Sequence, residues 1–124
     1  MRPTVMNPCS AAVAAVLAFA AAPAQAADAV SGQVLFQACA ACHTEKPDAL
    51  GPSLRGVYGR NSAAREDFRY SNPMKRANLV WDDANLRAYL NDPQAKVKGN
   101  RMPFGGVQDP SEIEDVIAYL KSLK

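Results

Sequence analysis

The chain has 124 residues, of which 48% are hydrophobic and 21% are charged, and its formal net charge is +2. This length suits one small domain. The 14 Lys and Arg residues are nearly balanced by 12 Asp and Glu residues. They form no basic tract of the kind that binds nucleic acid and no basic amphipathic helix for a membrane surface.

The first 26 residues are predicted to be a cleavable secretory signal peptide. Arg2 supplies a positive start, residues 11–22 are small and apolar, and Ala24-Gln25-Ala26 is an A-x-A cleavage site. The apolar run is shorter than the ~20 residues of a membrane-spanning helix, which favours cleavage over retention as an anchor. We expect a mature domain of residues 27–124, with Cys9 lost in processing.

A first amphipathic helix is predicted from about Asp28 to Cys42. Val30, Val34 and Ala38 recur four residues apart and give the segment an apolar stripe. Gly32 interrupts this helix at a cost of up to ~1 kcal/mol relative to alanine. It indicates either a close approach by another helix or an ordinary tolerated glycine.

The predicted helix leads into Cys39-Ala40-Ala41-Cys42-His43, which is the C-x-x-C-H pattern of covalent haem attachment. Two thiols on one helical turn can each add to a haem vinyl group, and the imidazole that follows can ligate the iron. A redox dithiol would be expected within a βαβ pattern, and zinc needs about four nitrogen or sulfur ligands. A disulfide across two residues would be strained. Because His43 is the only histidine, the motif favours one covalently bound haem c.

Loops and two further principal helices are predicted beyond the motif. Residues 44–61 are rich in Pro and Gly and should form a loop, and Pro73 is placed to open a short helix. A second principal helix begins with Asp82 or Asp83 as its N-cap and ends before Pro93. Residues 94–106 are predicted to form another loop.

The third principal helix is predicted near the C-terminus. Asp109 suits the N-cap position and Pro110 suits the first helical position. The expected apolar face consists of Ile113, Val116, Ile117 and Leu120.

Met102 is predicted to be the second axial ligand of the iron. No second histidine exists, and the mature chain has two methionines, Met74 and Met102. Met74 lies in a polar stretch, which indicates a surface residue or a local plug. Met102 lies in a Gly- and Pro-bounded loop far enough from His43 in sequence to reach the other face of a haem.

These motifs make residues 28–124 resemble the class I cytochromes c, the type that includes mitochondrial cytochrome c and its periplasmic relatives. The shared motifs are C-x-x-C-H at 39–43, Gly-Pro-Ser-Leu-Arg-Gly at 51–56, Met-Pro-Phe at 102–104 and the run at 115–121. The resemblance implies an all-α fold. Three principal helices, short helices and long loops would wrap around one covalently bound haem.

The resemblance also implies roles around the haem iron. The carbonyl of Pro52 would accept a hydrogen bond from the ring of His43. The hydroxyl of Tyr89 would lie near the sulfur of Met102. Phe104 would cover the exposed haem edge.

Three further sets of residues take their expected roles from the resemblance. The propionates would be held by Arg60, Tyr70 and Trp81. The first and last helices would cross at Gly32, Phe36 and Tyr119. A sparse docking surface for redox partners would consist of Lys96, Lys98 and Arg101. Mitochondrial relatives have lysines at positions such as Gln94, so docking to an acidic partner is expected to be weaker here.

The predicted function is that of a soluble, monomeric, periplasmic monohaem electron carrier rather than an enzyme. With both axial positions filled, no substrate reaches the iron, and the thioether raises the reduction potential. The resemblance implies transient redox partners, such as quinol–cytochrome c reductase as donor and cytochrome oxidase, a peroxidase or a photosynthetic centre as acceptor. Two alternatives are a dedicated partner of one periplasmic dehydrogenase and, less favoured without a second histidine, a haem peroxidase or ligand-binding protein.

Overall fold

The fold is described by a computed structural model that covers residues 3–4, 18 and 20–124. The helices in these ranges are α1 (Ala29–Leu35), α2 (Gln37–Ala40), α3 (Asn72–Arg76), α4 (Asp83–Asn91), α5 (Pro93–Lys96) and α6 (Pro110–Ser122). Extended pairing in the same ranges is limited to an isolated bridge between Asn61 and Val80. The expected all-α architecture is therefore confirmed for this part of the chain.

Most of the predicted signal peptide, including Cys9, lies outside the described residues. The parts that are described, residues 3–4, 18 and 20–26, are exposed and have no helix or strand. Among the described segments, no helix combines the length and the apolar character needed to cross a bilayer.

The first predicted helix is present but is divided in two. The apolar stripe predicted for it was wrong as a buried face, because Val30 and Val34 are 71% and 70% exposed. Asp28 caps α1, since its side chain accepts a hydrogen bond of 2.9 Å from the backbone N–H of Val30. Phe36 separates α1 from α2 with φ −61° and ψ −18°, which are the dihedral angles of a tighter, 3₁₀-like turn. The prediction of one continuous helix was therefore wrong at Phe36, and α2 ends at Ala40 rather than at Cys42.

Helices α1 and α6 cross in close contact at Gly32. A Cβ atom built on Gly32 would lie 1.9 Å from the carbonyl oxygen of Asp115, so only glycine fits between the two backbones. The rings of Phe36 and Tyr119 pack beside the crossing with their centroids 5.0 Å apart. Of the two sequence-based interpretations of Gly32, close helix approach is confirmed.

The N-caps of the later helices match the sequence prediction. Asp82 caps α4 by accepting from the N–H of Asn85 at 2.9 Å, and Asp109 caps α6 by accepting from the N–H of Ser111 at 2.8 Å. Pro73 occupies the first turn of α3, as expected.

Helix α5 is a correction, because its residues were predicted to be part of a loop. Its signals are the ordinary ones: Asp92 accepts from the N–H of Ala95 at 3.0 Å, and Pro93 is the first helical residue. At four residues the helix is too short for apolar periodicity to be detected.

The apolar faces of α4 and α6 form the core. The predicted face of α6 is confirmed, with relative exposures of 1–4% for Ile113, Val116, Ile117 and Leu120. Met74 is also buried, at 9% exposure. The interpretation of Met74 as a surface residue was wrong, because Ser71 caps α3 and the helix directs the thioether inward.

Candidate cofactor site

The helices and loops enclose one large cavity of 430 Å³, a volume within the ~300–1,000 Å³ range of small-molecule sites. Side chains from α2, α3, α4, α6 and the intervening loops line it. Most predicted site residues are brought together here, namely Cys39, Cys42, His43, Pro52, Arg60, Tyr70, Trp81, Tyr89 and Met102.

The two cysteines and the histidine lie on one helical turn at the cavity wall. The backbone N–H groups of Cys42 and His43 both donate to the carbonyl of Cys39, at 3.1 and 3.0 Å. Cys39 and Cys42 are not joined in a disulfide, and burial raises the pKa of the Cys39 thiol. No cluster of three or more metal-binding His, Cys, Asp or Glu side chains occurs among the residues whose structure is described. The geometry therefore matches the covalent haem motif.

The ring of His43 is fixed by a backbone carbonyl. Its Nδ1 lies 2.7 Å from the oxygen of Pro52. A carbonyl can only accept, so Nδ1 carries the proton and the lone pair of Nε2 is free for a metal. Burial lowers the pKa of His43, and the Pro52 contact partly opposes that shift. The neutral, ligating form of the imidazole is thereby favoured.

Met102 contacts the hydroxyl of Tyr89, which donates to its sulfur at 3.4 Å. Burial raises the pKa of Tyr89 to about 12, so the phenol stays protonated and remains a donor. The rings of Trp81 and Tyr89 meet edge to face with centroids 5.0 Å apart. Met74 lines the same cavity, but Met102 is the methionine with a hydrogen-bonded sulfur.

Donor groups suited to carboxylates also line the cavity. The guanidinium of Arg60 donates to the carbonyls of Ser53 and Arg55, at 3.0 and 2.8 Å, and burial lowers its pKa. Two of its five N–H donors are used in these bonds. Tyr70 and Trp81 add a phenol and an indole to the same cavity. These residues fit the expected propionate partners.

The residues expected at the haem edge differ in whether they line the cavity and in how exposed they are. Phe104 is half-buried but does not line the cavity, so its role as an edge cover stays a prediction. Lys98 and Arg101 are exposed, whereas Lys96 is half-buried. The side chain of Arg101 donates to the carbonyl of Arg69, which fixes its position beside Met102.

The cytochrome c family model matches residues 29–124, which is nearly all of the chain that follows the predicted signal peptide. The chain belongs to the cytochrome c family. This cytochrome is 43% identical to cytochrome c2 of Blastochloris viridis over 109 residues, or 86% of each chain. It is 43% identical to cytochrome c2 iso-2 of Magnetospirillum fulvum over 90 residues, which cover 71% of this chain and 94% of the relative.

A solved structure of cytochrome cH from Methylobacterium extorquens has a similar fold. Its TM-score is 0.73 at 40% sequence identity, and the match covers 77% of this chain and 98% of the other. The class I cytochrome c fold, one covalently attached haem c and the role of monohaem electron carrier follow from these matches. The bound haem supplies a one-electron Fe(II)/Fe(III) couple. The cytochrome's own residues attach, ligate and enclose it.

Sequence reasoning missed the specific role of Gly51. A Cβ atom at this position would lie 2.6 Å from Cε1 and 2.7 Å from Nδ1 of His43. The missing side chain therefore lets the backbone before Pro52 pass against the imidazole. The available signal was the Gly-Pro pair itself, which indicated only a loop.

We expect Gly51→Ala to disturb the His43 ring and to reduce haem loading several-fold. Overpacking of this kind typically costs ~1–3 kcal/mol. The haem-to-protein absorbance ratio after export to a haem-attaching compartment measures the effect. Gly105→Ala is the matched control, because a Cβ there meets nothing within 4 Å. Equal loading of the two variants would contradict the proposed close fit.

We expect Tyr89→Phe to lower the reduction potential slightly. The hydroxyl withdraws electron density from the sulfur of Met102, and its loss should therefore stabilise Fe(III). A neutral hydrogen bond is worth ~1 kcal/mol, which sets an upper limit of about 40 mV for one electron. Voltammetry of the holoprotein tests this, with Tyr58→Phe, outside the cavity lining, as control. A higher potential in Tyr89→Phe would show that the hydroxyl does not act on the sulfur.

Proposed function

We propose that this cytochrome is a soluble, monomeric, periplasmic protein that shuttles single electrons and does not itself catalyse a reaction. Quinol–cytochrome c reductase is the proposed class of donor, and a terminal oxidase is the proposed class of acceptor. The observation that carries the proposal is that His43 and Met102 line one cavity, and each is fixed by its own hydrogen bond.

In this proposal His43 and Met102 would both ligate the iron. Pro52 holds the imidazole in its ligating tautomer, and Tyr89 contacts the thioether. Two strong ligands leave no position for peroxide or a diatomic gas. Oxidation and reduction therefore require no exchange of ligand, which suits rapid electron transfer and disfavours peroxidase activity.

A periplasmic location is supported at the N-terminal side of the domain. Ala24-Gln25-Ala26 is exposed and lies outside any helix, so a signal peptidase could reach it. Cleavage after about Ala26 would spare Asp28, whose backbone N–H donates to the carboxylate of Asp115 at 2.7 Å. The proposed mature domain, residues 27–124, thus begins just before the first helix cap. Haem attachment outside the cytoplasm, as the family resemblance implies, requires the same export.

Transient docking is proposed for the surface around Lys96, Lys98 and Arg101. Lys98 and Arg101 are exposed on either side of Asn100, next to Met102. Few cations and a near-neutral chain favour a small, weak interface, below the ~1,200 Å² of stable complexes.

The holoprotein provides the test. We expect the weak far-red band of thioether-ligated Fe(III) at neutral pH, slow cyanide binding, and turnover with both a quinol–cytochrome c reductase and an oxidase. Lys98→Ala should reduce turnover more at low salt than at high salt. Instant cyanide binding without the band would favour a ligand-binding haem protein, and reduction by a single dehydrogenase alone would favour a dedicated partner.

A further inference from the structure

We propose that Asn100 is a positioning residue that holds the loop carrying Met102. Gln94 reinforces the same loop from α5. Together they set how slowly the thioether is displaced from the iron. This inference rests on the proposed role of Met102 as axial ligand.

The side chain of Asn100 is buried and fully occupied by backbone partners. Its exposure is 8%. Its Nδ2 donates to the carbonyls of Pro93 and Val97, both at 2.9 Å. Its Oδ1 accepts from the backbone N–H of Met102 at 2.8 Å. One amide therefore links both ends of α5 to the residue that presents the thioether.

Gln94 holds the turn between α5 and Asn100 from outside. Its Nε2 donates to the carbonyl of Asn100 at 2.9 Å, and its Oε1 accepts from the N–H of Gly99 at 3.1 Å. Gly99 has φ +85°, a left-handed conformation that suits glycine. The turn therefore depends on two amide side chains and one glycine for its shape.

These hydrogen bonds are specific to an amide. Three backbone groups face Asn100: two acceptors and one donor. An apolar residue of the same size would leave the N–H of Met102 without the partner seen here, and a backbone donor left unpaired on folding is costly. The two carbonyls would lose the side-chain link to Met102 and keep only their backbone donors, the N–H groups of Val97 and Asn100. Because residues 97–107 lie outside any helix, no regular ladder would restrain Met102 in their place.

Displacement of the thioether requires Met102 to move away from the iron. Asn100 opposes this movement at the backbone of Met102, whereas Tyr89 contacts the sulfur itself. Loss of Asn100 should consequently speed displacement while changing the reduction potential of the ligated state little. Loss of Tyr89 should have the reverse pattern.

The test uses holoprotein variants at neutral pH. Asn100→Leu keeps the side-chain size and removes the amide, and Gln94→Ala removes the outer bonds of an exposed residue. Their controls are Asn91→Leu and Gln108→Ala, which change exposed residues near the same loop. Ile113→Val controls for general stability, because Ile113 is buried at 2% exposure but does not line the cavity.

Two readouts are measured: the rate at which imidazole displaces the thioether, and hydrogen exchange of the Met102 amide. We expect about tenfold faster displacement in Asn100→Leu, equivalent to ~1.4 kcal/mol, and about threefold in Gln94→Ala. Protection of the Met102 amide should fall in Asn100→Leu. The three control variants should stay within twofold of wild type.

Each outcome decides the proposal. The proposal would be overturned if folded Asn100→Leu showed the wild-type displacement rate and unchanged hydrogen exchange at the Met102 amide. If Asn100→Leu does not fold, the rate in Gln94→Ala decides by the same criterion. If Ile113→Val accelerated displacement of the thioether as much as Asn100→Leu, the effect would reflect general stability, and the inference would also be overturned. A wild-type protein without the far-red thioether band would instead refute the proposed ligation by Met102 and, with it, this inference.

Discussion

Replacing Met102 with alanine should give a folded haem protein with a lower reduction potential. Axial ligands set this potential over a range of ~0.8 V, and we expect a fall of at least a tenth of that range. The thioether stabilises Fe(II) relative to Fe(III), and alanine supplies no donor. The iron should then bind cyanide and imidazole rapidly. Voltammetry and ligand-binding kinetics measure both effects.

Met74→Leu is the matched control for Met102→Ala. Met74 lines the same cavity and is equally a thioether, but no hydroxyl is bonded to its sulfur in the way that Tyr89 is bonded to Met102. We expect Met74→Leu to keep the far-red band and to change the potential far less. If Met74→Leu instead lost the far-red band and lowered the potential, while Met102→Ala did neither, the ligand would be Met74.

Replacing Gly32 with valine should produce the largest loss of stability among single substitutions outside the cavity. A Cβ atom there would lie 1.9 Å from a backbone oxygen of α6, and backbone cannot rotate away as a side chain can. Overpacking costs ~1–3 kcal/mol or more. For a domain of this size that corresponds to a fall of about 4–24 °C in Tm.

Thermal unfolding of the holoprotein tests the Gly32→Val prediction. Gln33→Val places the same β-branched residue on the exposed side of α1 and should cost well under 1 kcal/mol. A Tm for Gly32→Val equal to that of Gln33→Val would mean that α1 and α6 separate easily.

The sequence alone was sufficient to predict structure where the pattern involves residues close together in the chain. C-x-x-C-H places two thiols and an imidazole on one turn whatever surrounds it, and the cavity contains all three. Asp82 and Asp109 likewise cap the helices that directly follow them. The contact between Tyr89 and Met102, which the family resemblance implied, is also present.

The sequence was insufficient where a residue's environment comes from distant segments. Met74 lies among polar neighbours in sequence, yet α3 turns it into the core. Asn100 has no distinctive spacing, and its importance emerges from three backbone partners that only the folded loop brings together. From the sequence, Gln94 was noted only as a position where mitochondrial relatives have lysine. In the structure its amide donates to the turn that precedes Met102.

The crossing of α1 and α6 also bears on the order in which the protein matures. With the export proposed above, a chain that emerges from its amino end would present the cysteines and histidine well before the last helix has been made or translocated. Because Val116 and Leu120 of that helix line the cavity, we expect the pocket to close around a porphyrin only when the helix packs against Gly32. The attachment machinery can therefore act on an open, accessible segment, and completion of the C-terminal helix then seals the product.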